Sequence, residues 1–444
     1  MADLLQGVND ALSSGAPALA RLLSPLGRRV FLPAGIPVQA QEARGKTYNG
    51  TIGLVTDGHG EALPLPSMAG ALALEESDVS PAFLYSPVTG LPELRRRWRS
   101  WQRRHLPPGS EASLPSSLPV VTGGLSHSLS ILADLFAGEE RTVLLPGPYW
   151  GNYNHVFGTR TGSRQVSAPS FRGGAFNDRV FEEAVEGDSR LDPSEPLIAV
   201  LNLPSNPGGY SLTDGERRRV QASLRRLADR RPVLVICDDA YAGLVYEDEI
   251  SRRSMFWDLI GLHEQLVPVK VDGATKEFSF FGGRVGFLTF PYAPGSPEAE
   301  ALTSKIGGLT RSTVGSPVAL SQVILLQGLR QEGTAEEVEA IRKRMQGRYR
   351  VLKASVTSLD PDLLAAQPFN SGCFTLLELG DAVAANAETV RRQLLEHHDT
   401  GLVSVGERYV RIAYCSVAAD MLEELVHRLQ KGVSEAASGG VLAP

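Results

Sequence analysis

Short apolar runs alternate with segments of helical spacing through the middle of the chain. The runs are typical of strands buried on both faces of a sheet, and they occupy residues 118–122, 142–145, 197–201, 233–237, 266–271 and 285–290. After the first run, four apolar residues recur at spacings that place them on one face of a helix, namely Leu125, Leu129, Leu132 and Phe136. The pattern predicts an α/β fold with a mostly parallel central sheet covered by helices.

The pattern changes in the last third of the chain. There, long helical segments accompany only two strand-like runs, at residues 373–379 and 409–413, which is typical of a separate α+β lobe. The N-terminus has an amphipathic helical pattern through Leu4, Val8 and Leu12. We predict three parts: an N-terminal arm or helix over residues 1–50, a large domain over 51–320, and a small C-terminal domain over 321–444 joined by part of the N-terminal segment.

Charge and hydropathy limit the classes of partner. The chain carries 44 Lys and Arg against 50 Asp and Glu, and this net charge of −6 argues against nucleic acid as the main partner. No apolar run approaches the roughly 18 residues of a membrane span. The N-terminus, which carries Asp3 and Asp10, does not resemble a secretory signal. We expect a cytoplasmic protein that binds neither nucleic acid nor membrane.

One segment departs from this charge balance. Residues 94–104 interleave six arginines with two tryptophans, a composition also found in proteins that bind single-stranded nucleic acid. On a helix, Leu94, Trp98 and Trp101 fall at spacings of four and three and form one apolar stripe. We interpret the segment as an amphipathic helix whose arginines face solvent.

The cysteines and histidines are not spaced for a metal site. Cys237, Cys373 and Cys415 lie far apart, each in an apolar run, as small core residues of a protein in a reducing compartment do. The adjacent pair His397 and His398 would point in different directions on a helix. We therefore expect no metal ion and no disulfide.

Lys276 is the most informative residue of the chain. Lysine is scarce, with seven among the 44 basic residues, and Lys276 stands between an apolar run and a glycine-rich turn. A strand–loop–strand setting partly desolvates an amine and lowers its pKa, so that the amine can form a Schiff base with an aldehyde. Arg284, eight residues later, has the planar geometry that binds phosphate. An amine for an aldehyde and a guanidinium for a phosphate together suggest pyridoxal phosphate (PLP).

Three further sets of residues follow apolar runs, where the carboxyl ends of parallel strands gather ligands. Gly123 and Gly124 open a helix, so they either bind a phosphate through free N–H groups or form an ordinary tight turn. Asn206, which precedes Pro207, is either a ligand-binding residue or a turn residue. Asp238 either binds a protonated pyridine nitrogen or caps the next helix.

In their order along the chain, these elements resemble the fold-type I PLP enzymes and, within them, the aspartate aminotransferase family. The matching segments are Thr122-Gly123-Gly124-Leu125-Ser126, Asn206-Pro207-Gly208-Gly209, Asp238-Asp239-Ala240-Tyr241, Lys276, Arg284, and residues 85–95, 148–153 and 409–413. The resemblance implies the type I α/β fold. It also implies a PLP-dependent aminotransferase that moves an amino group between an L-amino acid and a 2-oxo acid, working as a homodimer with shared active sites.

The resemblance further implies a role for each matching residue. Lys276 would hold PLP through the Schiff base and move a proton at the substrate α-carbon, while Asp238 would pair with the pyridine nitrogen. Arg411 would bind the substrate α-carboxylate with both arms of its guanidinium. The other residues that would hold the cofactor or border the substrate are Gly124, Leu125, Trp150, Asn206, Tyr241, Thr275 and Arg284, with Tyr85 reaching in from the second subunit.

The sequence departs from the family pattern at three positions. Gly273 stands where the family usually has a phosphate-binding serine, so Ser126 or Thr275 would have to replace that contact. Tyr153 stands where aspartate-specific members carry histidine. Arg311 falls near the arginine that binds the distal carboxylate in dicarboxylate-specific members, and it is either that residue, which implies glutamate or aspartate as substrate, or an arginine of a surface or interface.

Two other functions are compatible with the same motifs. A lyase or synthase of this fold would use the same cofactor to break another bond at the α-carbon, although Arg411 argues against decarboxylation because it would hold the leaving group. A non-catalytic PLP-sensing regulator is the third reading. The first 50 residues are too short and too poor in basic residues to form its DNA-binding domain.

Overall fold

The helices of the chain surround two main sheets. The computed structural model describes residues 2–32, 35–192 and 194–438. The α-helices are α1 Ala2–Gly15, α2 Pro17–Leu22, α3 Pro25–Arg29, α4 Ile36–Glu42, α5 Pro66–Gly70, α6 Glu76–Phe83, α7 Pro92–Arg103, α8 Leu125–Phe136, α9 Val180–Glu186, α10 Asp214–Ala228, α11 Met255–Leu259, α12 Ala274–Glu277, α13 Pro297–Thr313, α14 Ala319–Arg330, α15 Thr334–Val356, α16 Ala387–His397 and α17 Leu422–Ala437.

The strands are short and most lie in the two sheets. They are β1 Tyr48–Asn49, β2 Val120–Thr122, β3 Thr142–Leu144, β4 Arg164–Val166, β5 Phe171–Arg172, β6 Ala175–Phe176, β7 Leu197–Asn202, β8 Val233–Asp238, β9 Leu266–Gly273, β10 Gly286–Thr289, β11 Leu364–Ala366, β12 Phe374–Leu379, β13 Thr400–Gly401, β14 Val403–Val405 and β15 Tyr409–Ala413.

The larger sheet has seven strands in the order β2-β10-β9-β8-β7-β3-β4. All neighbours from β9 to β4 are parallel, whereas β10 is antiparallel to both β9 and β2. Each of the six predicted apolar runs overlaps one of these strands, and the predicted α/β fold with a mostly parallel sheet is confirmed. The edge strand β4 was not predicted, because its residues are only half-buried and carry no apolar run.

The register of the central strands places the polar residues that follow them. Asn202 at the end of β7 lies opposite Asp238 at the end of β8, and Asp238 lies opposite Val271 on β9. Their interior residues, such as Ile236 and Val269, are fully buried, since helices cover both faces of the sheet. The side chains at the carboxyl edge are therefore held on a rigid support.

The smaller sheet is antiparallel and has the strand order β11-β12-β15-β14. Both predicted strand-like runs of the last third of the chain form strands here, as β12 and β15. The first predicted residue, Cys373, lies just before β12 and is fully buried, as are Cys237 and Cys415. This sheet lies within the predicted C-terminal domain, while the three domain boundaries stay a prediction.

The arginine-rich segment forms helix α7, as predicted, but not all of its arginines face solvent: Arg103 is buried, and Arg95 and Arg99 are half-buried and donate to backbone carbonyls. Leu94 and Trp98 are buried, and Trp98 stacks on Phe287 of the large sheet with 4.3 Å between ring centroids. The first predicted helix is present as α1, but its apolar residues Leu4 and Val8 are exposed within this chain. Among the described residues, no helix has the length and apolarity needed to cross a membrane.

Candidate active site

Lys276 lies at the carboxyl edge of the large sheet, in the short helix α12 that follows β9. Its Nζ is 3.4 Å from the carbonyl oxygen of Gly53 and 5.5 Å from the ring centroid of Tyr241. Burial lowers the pKa of Lys276, and the positive charges of Arg284 and Arg411 lower it further. The neutral amine, which is the form that attacks an aldehyde, is therefore more populated than in an exposed lysine.

Asp238 is the last residue of β8 and is buried. One carboxylate oxygen accepts the backbone N–H of Ala240 at 3.1 Å, and the other accepts the hydroxyl of Tyr153 at 2.7 Å. Burial raises the pKa of Asp238 to about 6, and the two hydrogen bonds oppose this effect. The group is mostly ionised at neutral pH, which suits a partner for a protonated ring nitrogen.

Trp150 lies in the loop between β3 and the π-helix Asn154–Thr159. It is half-buried, and its indole meets the ring of Tyr153 edge to face with 5.5 Å between centroids. Tyr153 in turn donates to Asp238, the predicted ligand of the ring nitrogen. Trp150, the predicted stacking residue, therefore contacts the residue that supports Asp238. An indole in this place can stack on an aromatic ring.

The predicted phosphate site forms where β2 passes into α8. Gly124 caps this helix with a φ of 89°, and a Cβ on Gly124 would lie 2.7 Å from Nη2 of Arg284. The glycine is required here, because an L side chain is strained at this φ and would collide with the guanidinium. Leu125 begins the helix, so the free N–H groups and dipole at this end add to the charge of Arg284.

The hydroxyl of Thr275 supports the same site. Its Oγ1 is buried and has no hydrogen-bond partner among the described residues. A buried polar atom without a partner is costly unless a ligand completes it. This hydroxyl and the Arg284 guanidinium beside Gly124 are the kinds of donor that a phosphate group takes, so the residues present fit the phosphate of PLP.

The packing around Gly273 explains why the chain departs from the family pattern at this position. A Cβ at this position would lie 2.5 Å from the carbonyl oxygen of Val285 and 2.8 Å from Cδ1 of Leu125. The backbones of β9 and β10 pair here without room for a serine. Of the two replacements expected for the missing contact, Thr275 has the buried unpartnered hydroxyl, and Ser126 is only half-buried.

Arg411 is a buried cation on β15. Its Nη2 donates to the carbonyl oxygen of Thr51 at 2.6 Å and its Nη1 to Oδ1 of Asn206 at 3.3 Å, while Nε is buried without a partner among the described residues. Burial lowers its pKa to about 10, so the guanidinium stays protonated at neutral pH. Both groups that it donates to are neutral, so the buried charge can be completed by an anionic ligand.

Asn202, which the sequence patterns did not single out, joins two parts of the site. Its Nδ2 donates to the backbone carbonyl of Asp238 at 3.0 Å, and its Oδ1 accepts the N–H of Asn206 at 2.7 Å. Asn206 in turn contacts Arg411. This chain of contacts sets the distance between the predicted ring-nitrogen ligand and the predicted carboxylate ligand.

Gly53 and Phe374 were also missed. A Cβ at Gly53 would lie 2.3 Å from Cζ of Phe374, and the guanidinium of Arg411 lies over the same ring at 4.4 Å from its centroid. The ring of Phe374 also meets Tyr241 edge to face at 5.5 Å. Phe374 reads in the sequence as one more apolar residue of a strand, so no pattern could have distinguished it.

The structure does not bring Tyr85 and Arg311 into this cluster. The side chain of Tyr85 is 96% exposed, and Arg311 is exposed near the end of α13. Ser86, next to Tyr85, donates its hydroxyl to the carbonyl oxygen of Pro317, six residues after Arg311, at 2.7 Å. All other predicted site residues lie at the carboxyl edge of the large sheet or contact it.

Several solved structures that resemble this chain are aminotransferases. An aminotransferase from Anaerococcus prevotii superposes with a TM-score of 0.77 at 21% identity and covers 91% of this chain and 98% of its own. A Thermus thermophilus aspartate aminotransferase variant in complex with tryptophan has a TM-score of 0.71 at 22% identity, again covering 91% of this chain and 98% of its own. These likenesses establish the fold.

Sequence relatives agree with the structural neighbours. The aromatic-amino-acid aminotransferase 2 of Thermococcus litoralis is 23% identical over 360 residues, which is 79% of this chain and 84% of that protein. The aspartate aminotransferase of Bacillus subtilis is 24% identical over 361 residues, with the same two coverages. The family model for class I and II aminotransferases matches residues 52–429. The chain therefore belongs to the class I and II aminotransferases, and it is a PLP-dependent enzyme that transfers amino groups.

Proposed function

We propose that the enzyme moves an amino group between an L-amino acid and a 2-oxo acid with Lys276, Asp238 and Tyr241 as its catalytic residues. One observation carries this assignment. The half-buried amine of Lys276 shares the carboxyl edge of the large sheet with Arg284, which lies beside Gly124, and with Arg411, which contacts Asn206. A reactive amine thus stands between a phosphate site and a carboxylate site, which is the arrangement that an amino acid attached to PLP requires.

PLP, when bound, withdraws electrons from the substrate α-carbon. Lys276 would supply the amine that holds the cofactor, and its neutral form would then move a proton from the substrate α-carbon to C4′ of the cofactor. Asp238, ionised at neutral pH, holds the ring nitrogen protonated. Tyr241, whose pKa burial raises well above its ordinary value, stays a hydrogen-bond donor and is placed within 5.5 Å of the lysine.

Arg411 binds the α-carboxylate of the substrate and directs the α-hydrogen toward Lys276. Its Nε has no partner among the described residues, and its Nη1 donates only to the neutral amide of Asn206, so the guanidinium has N–H donors to offer a carboxylate. Asn206, which accepts from Arg411 at 3.3 Å, would hydrogen-bond the cofactor. Because the carboxylate is held by a buried cation, its loss as carbon dioxide is disfavoured, which supports amino transfer over decarboxylation.

The active enzyme is proposed to be a homodimer. Phe83, Leu84 and Tyr85 are 86%, 63% and 96% exposed, and Val314 and Val318 are 54% and 55% exposed. This set, here called the 83–85/314–318 face, contains large exposed apolar side chains of the kind that mark protein–protein interfaces. A second copy that covers it would carry Tyr85 to the phosphate site of its neighbour.

The substrate class follows from Arg311 in this proposal. An exposed arginine beside the 83–85/314–318 face would be carried toward the neighbouring active site with Tyr85 and could bind a distal carboxylate, so glutamate or aspartate would be accepted. The relatives named above include both aspartate and aromatic-amino-acid aminotransferases, so they do not decide the question. A cytoplasmic location stays a prediction from the sequence.

The absorption spectrum of the purified protein tests the proposed function. We expect the yellow band of the bound aldehyde cofactor to bleach to the amine form when glutamate is added in stoichiometric amount, and to return with a 2-oxo acid. A parallel sample without the 2-oxo acid is the control for slow hydrolysis of the cofactor's amine form, and its yellow band should not return. A band that no amino acid in a panel converts to the amine form would contradict amino transfer and would favour a lyase or a PLP sensor.

A further inference from the structure

Tyr153 is a buried phenol directed at Asp238. Its side chain is 1% exposed, and its hydroxyl donates to Oδ2 of Asp238 at 2.7 Å. The residue is held from several sides: Gln165 donates to its backbone carbonyl at 2.9 Å, and the rings of Trp150 and Phe157 lie 5.5 and 6.3 Å from its own. The phenol thus has one hydrogen-bonding orientation.

The backbone around Tyr153 is adapted to this placement. Tyr153 directly precedes the π-helix Asn154–Thr159, a rare form of helix that is frequent at functional sites. The hydroxyl of the nearby Tyr149 donates to Oδ1 of Asn154 at 3.0 Å and does not contact Asp238. Two tyrosines of one loop therefore have separate partners, and only one of them serves the carboxylate.

Asp238 needs this support because its surroundings favour the neutral acid. Burial and the neighbouring carboxylate of Asp239 raise the pKa of Asp238, whereas the hydrogen bonds from Tyr153 and from the N–H of Ala240 and the charge of Lys270 lower it. Lys270, however, pairs directly with Asp239 and, at 3.3 Å, with Asp272. Among the described residues, Tyr153 is the side chain that hydrogen-bonds to Asp238 itself.

A phenol is well suited to the task. Burial and the adjacent charge of Asp238 raise the pKa of Tyr153 well above its ordinary value, so the hydroxyl remains a donor throughout the physiological pH range. An imidazole in the same place would change its charge within that range. The hydrogen bond to the carboxylate therefore does not change with pH in this range. Each oxygen of Asp238 accepts one hydrogen bond from the protein and can accept another from a ligand.

We infer that Tyr153 is a positioning residue that holds the Asp238 carboxylate ionised and aimed at the ring nitrogen of PLP. The inference rests on the proposed role of Asp238 in cofactor binding. Tyr153 does not touch the reacting atoms, so it acts only through that carboxylate. Removing its hydroxyl leaves the ring packing in place and lets Asp238 take up a proton at higher pH.

The experiment measures the dissociation constant of PLP from the apoenzyme between pH 5.5 and 8.5 by equilibrium dialysis. For Tyr153→Phe we expect binding about tenfold weaker at neutral pH, since a hydrogen bond to a charged group is lost. The loss of binding on acidification should also begin at higher pH than in the wild type. Tyr149→Phe is the matched control, because it deletes a phenol hydroxyl of the same loop, and we expect its binding curve to be unchanged.

A double-variant cycle separates positioning from packing. In an Asp238→Asn background, Tyr153→Phe should weaken PLP binding no further, because the charge that it supports is gone. Equal effects of Tyr153→Phe with and without Asp238, or a shift shared by Tyr149→Phe, would overturn the inference. If Asp238→Asn alone bound PLP like the wild type, the proposed role of Asp238 would be wrong. This outcome is distinct from those that overturn only the inference about Tyr153.

A second variant covers the case in which Tyr153→Phe does not fold. Tyr153→His restores a donor but fills less space. If Tyr153 acts through its hydrogen bond, the histidine variant should bind PLP more tightly than the phenylalanine variant. If the phenylalanine variant cannot be purified, the histidine variant should bind PLP within a few-fold of the wild type. If it acts by packing alone, the histidine variant should be at least as weak as phenylalanine, and this result would overturn the inference.

Discussion

The predicted site residues lie in two regions that differ in burial: the carboxyl edge of the large sheet and the 83–85/314–318 face. At the sheet edge, polar residues are buried and hold one another: Asp238 accepts from Tyr153 at 2.7 Å, and Arg411 donates to Thr51 at 2.6 Å. At the exposed face, Tyr85 and its apolar neighbours contact solvent. One chain thus organises the proposed catalytic residues by itself, whereas the residues of the exposed face would act only in the proposed dimer.

This difference has a physical reason. A buried charge or amine must be completed by its own chain during folding, because an unpaired polar group in the interior is costly. An exposed tyrosine has no such cost of burial, so its hydroxyl can remain without a protein partner in the single chain. Substitutions at the sheet edge should therefore affect catalysis directly, and substitutions on the exposed face should act through assembly and through the neighbouring site.

The largest effect is expected for Lys276→Ala. Loss of the only proposed attachment and proton-transfer group should lower kcat by at least about a thousandfold, while circular dichroism and the oligomeric state stay unchanged. Lys343→Ala, which removes an exposed lysine of α15, is the control. Amino transfer retained at more than a few per cent of the wild-type rate would contradict the assignment of Lys276.

Arg411→Ala should follow. Removing one partner of a buried charge pair costs about 2–5 kcal/mol, so we expect KM for the amino acid to rise by about a hundredfold or more, with PLP affinity nearly unchanged. Arg392→Ala, at an exposed position of α16 with its own partner Glu388, controls for loss of charge. Equal losses of amino acid and PLP binding would mean that Arg411 supports the structure.

Tyr85 allows a test of the exposed face with mixed dimers. Tyr85→Ala should weaken PLP binding by about tenfold although its side chain is 96% exposed in the single chain. When Tyr85→Ala and Lys276→Ala subunits are mixed, a hybrid dimer should contain one intact site, because the lysine of one subunit meets the tyrosine of the other. Activity that does not recover on mixing would show that Tyr85 does not act across subunits.

The smallest effect is expected for Arg311→Ala. If this arginine binds a distal carboxylate in the neighbouring site, kcat/KM for glutamate should fall several-fold while that for alanine stays the same. Lys305→Ala, at an exposed position six residues earlier in the same helix, is the control. An unchanged ratio of glutamate to alanine activity would leave Arg311 as a surface or interface residue.

Much of the fold was predictable because it depends on local patterns. The six apolar runs became strands, and the stripe of Leu94 and Trp98 became the buried face of α7, since burial selects period and hydrophobicity residue by residue. The antiparallel direction of β10 and the edge strand β4 were not predictable in the same way. Strand direction depends on where the connecting chain can pass, and β4 pairs along its backbone without an apolar run.

The candidate site was predictable in its chemistry and less so in its support. Lys276, Asp238 and Arg284 stood out because they follow strands or turns. Asn202 did not stand out, although it links Asp238 to Asn206 through two hydrogen bonds of 3.0 and 2.7 Å. Its role depends on the register of β7 and β8, which is a property of the paired strands.

By itself, the sequence determined the types of the main elements, the reactive amine, and the likeness of its ordered motifs to an aminotransferase family. The tertiary structure decided which of these groups meet. Arg411 contacts Asn206 at 3.3 Å across 205 residues of chain, and Tyr153 reaches Asp238 across 85. Such contacts follow from the packing of two sheets, because close approach in space, rather than spacing in sequence, sets the strength of hydrogen bonds and charge interactions.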